Sequence, residues 1–357
     1  MKPLPPISRR NFLKLTATVA AGAALAGCAP KQSTNAPADT ATTALKPTIP
    51  PSPTQATIGT TSAPPEPGPT ESEPTEASPT AEPTPTNAPA YVAVAHGPDP
   101  AAITRAAVDA LGGISSFVAA GYDVIIKPNI CTGYHTPEYA TTTNPTVVAT
   151  LVSMCLEAGA KRVRVMDYPF GGTAKSAYAI SGITDAVEAA GGEMHVMSQA
   201  KYTQVEIPQG IDIRSVDIYP DVLEADLLIN VPIAKSHDAT RLTLGGKNLM
   251  GVILDRGMMH YNLGQRIADL TSLVQPELTV IDAVRILTAH GPTGGDLADV
   301  KQMDTVIASR DIVAADAYAA TLFGLTGADI GYVQKSADMG LGTLDLSSIN
   351  IQEINLG

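Results

Sequence analysis

Ala225-Asp226-Leu227-Leu228-Ile229-Asn230-Val231-Pro232-Ile233-Ala234-Lys235-Ser236-His237-Asp238, running on to Leu244-Gly245-Gly246-Lys247-Asn248-Leu249-Met250-Gly251, is the stretch whose reading decides the fold. Leu227 to Val231 is a short apolar run of the kind that makes a buried strand, and Pro232 stops it because proline cannot donate to a sheet ladder. Lys235, Ser236, His237 and Asp238 then follow the strand, and Gly245, Gly246, Lys247 and Asn248 precede a short helix. In an open α/β sheet, ligands sit at the carboxyl ends of strands, and N–H groups at a helix start favour anions. This stretch therefore reads as half of a binding site.

Working outward, Tyr91–Ala95, Asp123–Lys127 and Arg162–Asp167 read as strands, with a helix from about Pro100 to Leu111 after the first. Asn144-Pro145 is an N-cap followed by proline at the first helical position, opening a helix that Gly159 closes. Strand, helix, strand at this spacing is a βαβ unit, which argues for a largely parallel sheet. Further on, a helix is expected at Gly182–Ala190, loosely placed strands between Glu193 and Val216, and a helix at Leu263–Val274. Leu278–Asp282, Asp304–Ala308 and Ile349–Ile354 read as strands, Asp311–Phe323 as a helix, and His290–Gly295 as a glycine-rich loop, either a lid, an anion-binding loop or a surface turn. The expected fold class is α/β, a mostly parallel sheet or sheets with flanking helices, in one body or in two lobes with a site between them.

The 357 residues carry a net charge of −12, with Asp and Glu outnumbering Lys and Arg by 35 to 23. The excess falls on residues 91–357, so a basic nucleic-acid footprint is absent and aromatics for base stacking are few. Nucleic acid is excluded as a partner on these grounds. The 3 cysteines are Cys28, Cys131 and Cys155, too few for a disulfide framework, a thiolate zinc site or an iron–sulfur cluster. Cys155 sits in an amphipathic stretch and reads as a buried thiol, whereas Cys131 follows the Lys127-Pro128-Asn129 turn and could line the site. A Cys131–Cys155 bridge is the less favoured arrangement.

The first 28 residues are read as an export segment. Ser8-Arg9-Arg10-Asn11-Phe12-Leu13-Lys14 carries the paired arginines of the twin-arginine export motif, and the apolar run from Thr16 to Ala26 is short for a bilayer span. Leu25-Ala26-Gly27-Cys28 resembles a bacterial lipobox, which predicts cleavage before Cys28, lipidation of its thiol and attachment to the outer face of the membrane or the envelope. Residues 29–90 are Pro, Thr, Ala, Ser and Glu with almost no large apolar side chain, so they read as a disordered linker. As polyproline II, about 60 residues would reach on the order of 150 Å. The domain expected to fold is 91–357.

Within it, Lys127, Lys235 and Lys247 each lie at a strand end or helix start in an acidic chain. Converging, they would form a pocket for carboxylate or phosphate; the alternative is that each pairs with an acid such as Asp226, Asp238 or Asp282. His237 is the candidate for acid/base work or for ligating a metal, with His260 and His290 as conceivable co-ligands. Lys235 joins it as a catalytic candidate. Asn129, Asn248 and Asp282 read either as ligand-orienting groups or as turn and cap residues, and Gly245-Gly246-Lys247-Asn248 as an anion-binding segment. A P-loop fails, because Arg241 stands where its first glycine belongs and Asn248 replaces the hydroxyl that would hold magnesium.

Taken together, Ile125-Ile126-Lys127-Pro128-Asn129, Thr143-Asn144-Pro145, Ala225-Asp226 through Lys235-Ser236-His237, and Gly246-Lys247-Asn248-Leu249-Met250-Gly251 resemble the DUF362 family. Thr279-Val280-Ile281-Asp282, Gly291-Pro292-Thr293-Gly294 and Ser309-Arg310-Asp311 through Ala315-Asp316-Ala317 extend the resemblance over the whole of 91–357. Some members carry ferredoxin-like cysteine clusters, which this chain lacks. A fainter similarity, through Ala225–Ile229, His237 and Gly245-Gly246-Lys247, is to the nickel-pincer lactate racemase family, which implies a metal cofactor acting on a hydroxy acid as isomerase or oxidoreductase.

The expectation is an exported lipoprotein enzyme that binds a small anion, an anionic organic cofactor or a divalent metal between strand ends. The alternatives are a non-catalytic protein that captures a small anion or metal, and a structural surface protein. The last would require Lys127, His237 and Lys247 to be far apart.

Overall fold

The computed structural model describes residues 89–357. Arg9, Arg10, Cys28 and the Pro/Thr-rich stretch as far as residue 88 lie outside the described residues. Strand β1 (Val92–His96) leads into helix α1 (Pro100–Ala110), capped by the Asp99 carboxylate. Strand β2 (Asp123–Pro128), helix α2 (Pro145–Glu157) and strand β3 (Arg162–Val165) form the expected βαβ unit, and the Asn144 side chain accepts from the Thr146 N–H at the start of α2. Helices α3 (Ala174–Ile180) and α4 (Ile183–Ala189) follow, the first unanticipated from the sequence. The loosely placed strands are β4 (Glu193–Met194), β5 (Thr203–Glu206) and β6 (Ser215–Ile218), followed by a one-turn helix α5 (Asp221–Glu224).

The deciding stretch forms strands β7 (Leu227–Val231), β8 (Ile233–His237) and β9 (Arg241–Thr243) and the short helix α6 (Gly245–Asn248). Helix α7 (Leu263–Val274), strands β10 (Leu278–Leu287) and β11 (Val300–Ser309), helices α8 (Ile312–Thr321) and α9 (Gly331–Asp338) and strand β12 (Ile351–Asn355) complete the chain. Both β10 and β11 run to 10 residues, twice the apolar segments that announce them. The first half of β11 is polar and largely solvent-facing, so it has no apolar signature of its own and is held by its antiparallel pairing with β10.

The main sheet has 10 strands in the order β12-β1-β11-β10-β7-β2-β3-β4, with β8 beside β10 and β9 beside β8. It is mostly parallel; β11 runs against both neighbours, and β8 and β9 form a hairpin. Helices cover both faces. Alternate residues of a strand point to opposite sides, and Val124 and Ile126 pack into one core with Ile103, Val147 and Ile183, while Ile125 packs into another with Ile267, Val313 and Val333. A strand buried on both sides is largely apolar, which is why Val124–Ile126 and Leu227–Ile229 read as apolar runs, and the buried Asn230 side chain is satisfied by the Gly245 carbonyl and Asn248.

Pro232 does not end the strand system. It interrupts one ladder position while the chain continues along β10: β7 pairs there through Ile229 and Asn230, β8 through Ile233, and the Pro232 carbonyl accepts from the Asp282 N–H at 2.9 Å. Lys235, Ser236 and His237, expected directly after the end of the strand, therefore lie on a second strand, β8. This correction has a consequence for the site, because residues two apart on a strand share a side.

Candidate functional site: a cationic pocket at the strand ends

Lys235 and His237 share one side of β8, and both face a small cavity at the carboxyl ends of β2, β3 and β7. It has about 50 Å³ of free volume, and Lys127, Asn129, Lys235, His237, Lys247 and Asn248 line it together with Cys131, Asp167, Thr243 and Arg256. The structure thus brings together the three lysines, the imidazole and the two asparagines that lie far apart in the sequence.

Lys127 is fully engaged. Its ammonium lies 2.8 Å from the Asp167 carboxylate and donates to the Pro128 carbonyl at 2.8 Å and to Asn248 Oδ1 at 3.0 Å. Burial pulls its pKa below the usual lysine value, against the opposing effect of Asp167. The acid that pairs with it is thus Asp167, at the end of β3, rather than Asp226, Asp238 or Asp282. Asp167 also accepts from the N–H groups of Ile130 at 2.6 Å and Tyr168 at 2.9 Å. Asn248 Oδ1 accepts from Asn129 Nδ2 at 2.9 Å, and Asn248 Nδ2 donates to Asn230 Oδ1 at 2.9 Å. These buried amides lock β2, β7 and α6 to one another.

Lys235 is fully buried and has no carboxylate among its hydrogen-bond partners. Its ammonium is wrapped by neutral acceptors: the Thr141 carbonyl at 2.6 Å, the Pro292 carbonyl at 2.9 Å, Asn129 Oδ1 at 3.1 Å and Cys131 Sγ at 3.2 Å. The glycine-rich loop thereby closes one wall. Gly291 is required there, since a Cβ would lie 1.8 Å from the Ser236 carbonyl oxygen. An ammonium with dipoles but no counter-ion around it leaves its charge for the cavity.

The remaining donors are unspent. Lys247 has no hydrogen-bond or ion-pair partner among the described residues, and its pKa is brought down to about 8 by burial, then by Lys235 and Arg256. Arg256 stacks on the Tyr168 ring at 4.8 Å and donates to the Tyr168 carbonyl, but its buried Nε has no partner, nor does the buried Thr243 hydroxyl. His237 Nδ1 accepts from the Ala239 N–H at 3.1 Å, so the neutral ring carries its proton on Nε2 and is a donor. Burial, then Lys247 and Lys235, push its pKa down to about 3.

Gly245, Gly246, Asp282, His260 and His290, all singled out in the sequence, stand apart from the cavity. The N–H groups of Gly245 and Gly246 donate to Asp316 at 2.6 and 2.9 Å, so the chain's own carboxylate fills the helix start read as an anion seat. Asp282 is buried and accepts from the N–H groups of Asn144 at 2.7 Å and Val284 at 3.0 Å; burial raises its pKa to about 6. It is a cap for α2. His260 contacts the Arg256 carbonyl and His290 pairs with Asp299 at 2.6 Å. No group of three or more His, Cys, Asp or Glu side chains that could hold a metal occurs among the described residues. The cavity's own ammonium, guanidinium and N–H donors fit an anion rather than a divalent cation. Cys131 and Cys155 are both free.

Sequence reasoning missed Arg256, which lies in a stretch with no motif, passed over Thr243 inside the deciding stretch, and noticed Asp167 only as the acid that ends the third strand. Among the described residues no helix is long and apolar enough to cross a membrane.

An α/β protein with a cation-lined pocket at its strand ends is what these features define. The sequence profile of the family described as "Domain of unknown function (DUF362)" matches residues 124–321, more than half of the chain, and the protein belongs to that family. A twin-arginine translocation pathway signal sequence matches residues 6–26 and marks the chain for export across the cytoplasmic membrane. The chain is similar to the thylakoid-associated protein sll1697 of Synechocystis sp., with 26% identity over 246 residues, 66% of this chain and 74% of the relative. The structure of a lactate racemase apoprotein from Thermoanaerobacterium thermosaccharolyticum aligns with a TM-score of 0.41 and 12% identity, over 61% of this chain and about half, 54%, of that one.

Proposed function

We propose that this protein is an exported, membrane-anchored enzyme that binds a small anion, or the oxyanion head of an anionic organic cofactor, in the pocket between β2, β8 and α6. The observation that carries the reading is Lys247, an ammonium without a partner in a cavity that already holds Lys127, Lys235 and Arg256 against the single carboxylate of Asp167. In a chain of net charge −12, that concentration of positive charge in one place runs against the overall balance. Lys247, Arg256, Thr243 and the His237 Nε2–H would contact the ligand, while Lys127 and Lys235 would supply field and rigidity. About 50 Å³ is room for one oxyanion group rather than a nucleotide. An amine whose pKa lies near 8 gives up and recovers a proton at neutral pH, which suits chemistry on the bound molecule. The anchor would be a lipidated Cys28, and the relative named for its association with thylakoids accords with a place at a membrane surface.

The test is titration calorimetry of the full chain with inorganic phosphate and with acetate. Saturable binding is expected, with Lys247→Met weakening it at least about tenfold, as for loss of one charge-assisted hydrogen bond worth roughly 1.5–3 kcal/mol. Absence of saturable heat with either anion defeats the reading. Affinity without turnover of any hydroxy acid or phosphate ester would instead mark a protein that captures its anion without acting on it.

A further inference from the structure

Cys131 lines the cavity, 8% exposed, with its sulfur 3.2 Å from the Lys235 ammonium. The thiol also donates to the Thr141 carbonyl at 3.5 Å and to the Pro292 carbonyl at 3.9 Å, and Lys127, Lys247 and Arg256 line the same space. A thiol attacks as its thiolate, and a cation beside the sulfur stabilises the negative charge as it develops. Independently, the Thr243 hydroxyl, on a residue 3% exposed, faces this cavity without a partner and awaits an acceptor there. Cys155 supplies the contrast inside the same molecule: it is buried in α2 among aliphatic side chains, and burial pushes its thiol up to about 12.

We propose that Cys131 is the nucleophile of this pocket, its sulfur set beside the Lys235 ammonium to attack an electrophilic carbon of a small substrate carrying an oxyanion. The proposal rests on the reading of the pocket as an anion site. The oxyanion is held by Lys247, Arg256 and Thr243, and the sulfur lone pair forms the new S–C bond. The leaving group departs with the electron pair of the bond it gives up, and the proton the thiol releases goes to it where it is basic and to solvent where it is not. No oxidant or reductant is consumed.

The experiment compares iodoacetate, an anionic electrophile, with neutral iodoacetamide on the full-length exported protein, reading modification at each cysteine by peptide mass. Cys131 is expected to react faster with iodoacetate, by on the order of tenfold, because the cationic cavity concentrates the anion. Excess inorganic phosphate should protect it, and Cys155 should stay unmodified while the protein is folded. Lys235→Met should abolish the preference for the anion. Since that variant leaves buried carbonyls without their donor and can fail to fold, Lys247→Gln, at the half-buried side of the cavity, should independently reduce the preference several-fold. Equal reactivity with both reagents, a preference for iodoacetamide, or no reaction at Cys131 overturns the proposal. Should phosphate still bind by calorimetry, only the nucleophile falls; should phosphate binding be absent as well, the anion site falls with it.

Discussion

The Lys127 ammonium and the Asp167 carboxylate meet at 2.8 Å with their side chains 1% and 3% exposed. A buried pair of this kind contributes less to stability than its proximity suggests, because both charges were taken out of water. Breaking it is another matter, since the survivor is left charged and uncompensated. Lys127→Met and Asp167→Asn should each destabilise the fold by about 3–5 kcal/mol. A double replacement by apolar side chains of similar volume should cost less than the sum of the two single losses, the remainder being the Ile130 and Tyr168 N–H groups and the Pro128 carbonyl left without partners. Urea denaturation of the two single variants and the double variant is the check, and additive losses would contradict the coupling.

Gly251 is what allows that pair to form. A Cβ built on it would lie 1.9 Å from Asp167 Oδ1 and 2.6 Å from Lys127 Nζ. Gly251→Ala must therefore push the pair apart or move the backbone, at a cost of about 1–3 kcal/mol for overpacking alone. The same denaturation series measures it. Phosphate affinity should fall with stability in this variant, because Lys127 and Asn248 set the floor of the cavity.

The fold was legible where a segment is buried on both faces or carries a strong cap. Leu227–Val231, Ile125–Lys127 and Asn144-Pro145 declare themselves because a two-sided strand has to be apolar and a helix start has to satisfy its N–H groups. Lys235 and His237 are legible as site residues but not as strand residues, since proline after Val231 marks a missing ladder bond and does not reveal that the chain resumes pairing one residue later. Gly245 and Gly246 read as an anion seat for the same local reason that makes them donate to Asp316: N–H groups at a helix start bind whichever carboxylate is near, and sequence does not say whether that comes from a ligand or from a residue 70 positions away. Arg256 was invisible because its role depends on the Tyr168 ring, a contact across 88 positions.

Anion affinity should be pH-dependent through Lys247. Its ammonium, with a pKa of about 8, is charged below that pH and neutral above it, so affinity should be highest below about 8 and fall as pH rises through it. Stability should move in the opposite direction. A lysine whose pKa is depressed on folding is penalised in its charged form, a cost fully present below about 8 and removed as pH climbs towards the ordinary value of 10.5. Calorimetry from pH 6 to 10, with Lys247→Met as the flat control, separates the two.

Cys28 lies outside the described residues, and its lipidation is tested directly. Cys28→Ser should release the exported domain from the membrane fraction and abolish incorporation of labelled palmitate, while the twin-arginine pair Arg9→Lys, Arg10→Lys should hold the chain in the cytoplasm. Retention of the serine variant on membranes would show that some other feature holds it there.

His237 offers the sharpest division between an anion donor and a metal ligand. With Nδ1 occupied by the Ala239 N–H and a pKa of about 3, the ring is neutral throughout the physiological range and presents Nε2–H to the cavity. Anion affinity should accordingly show no inflection near the ordinary histidine value of 6.5. His237→Gln keeps an N–H donor at similar reach and should bind phosphate within a few-fold of the native protein. His237→Leu should lose about 1 kcal/mol, the net value of one hydrogen bond. Chelation with EDTA should leave all three affinities unchanged. A step in affinity near pH 6.5, or loss of binding on chelation, would return His237 to the role of base or metal ligand and would require Nδ1 to give up the Ala239 N–H.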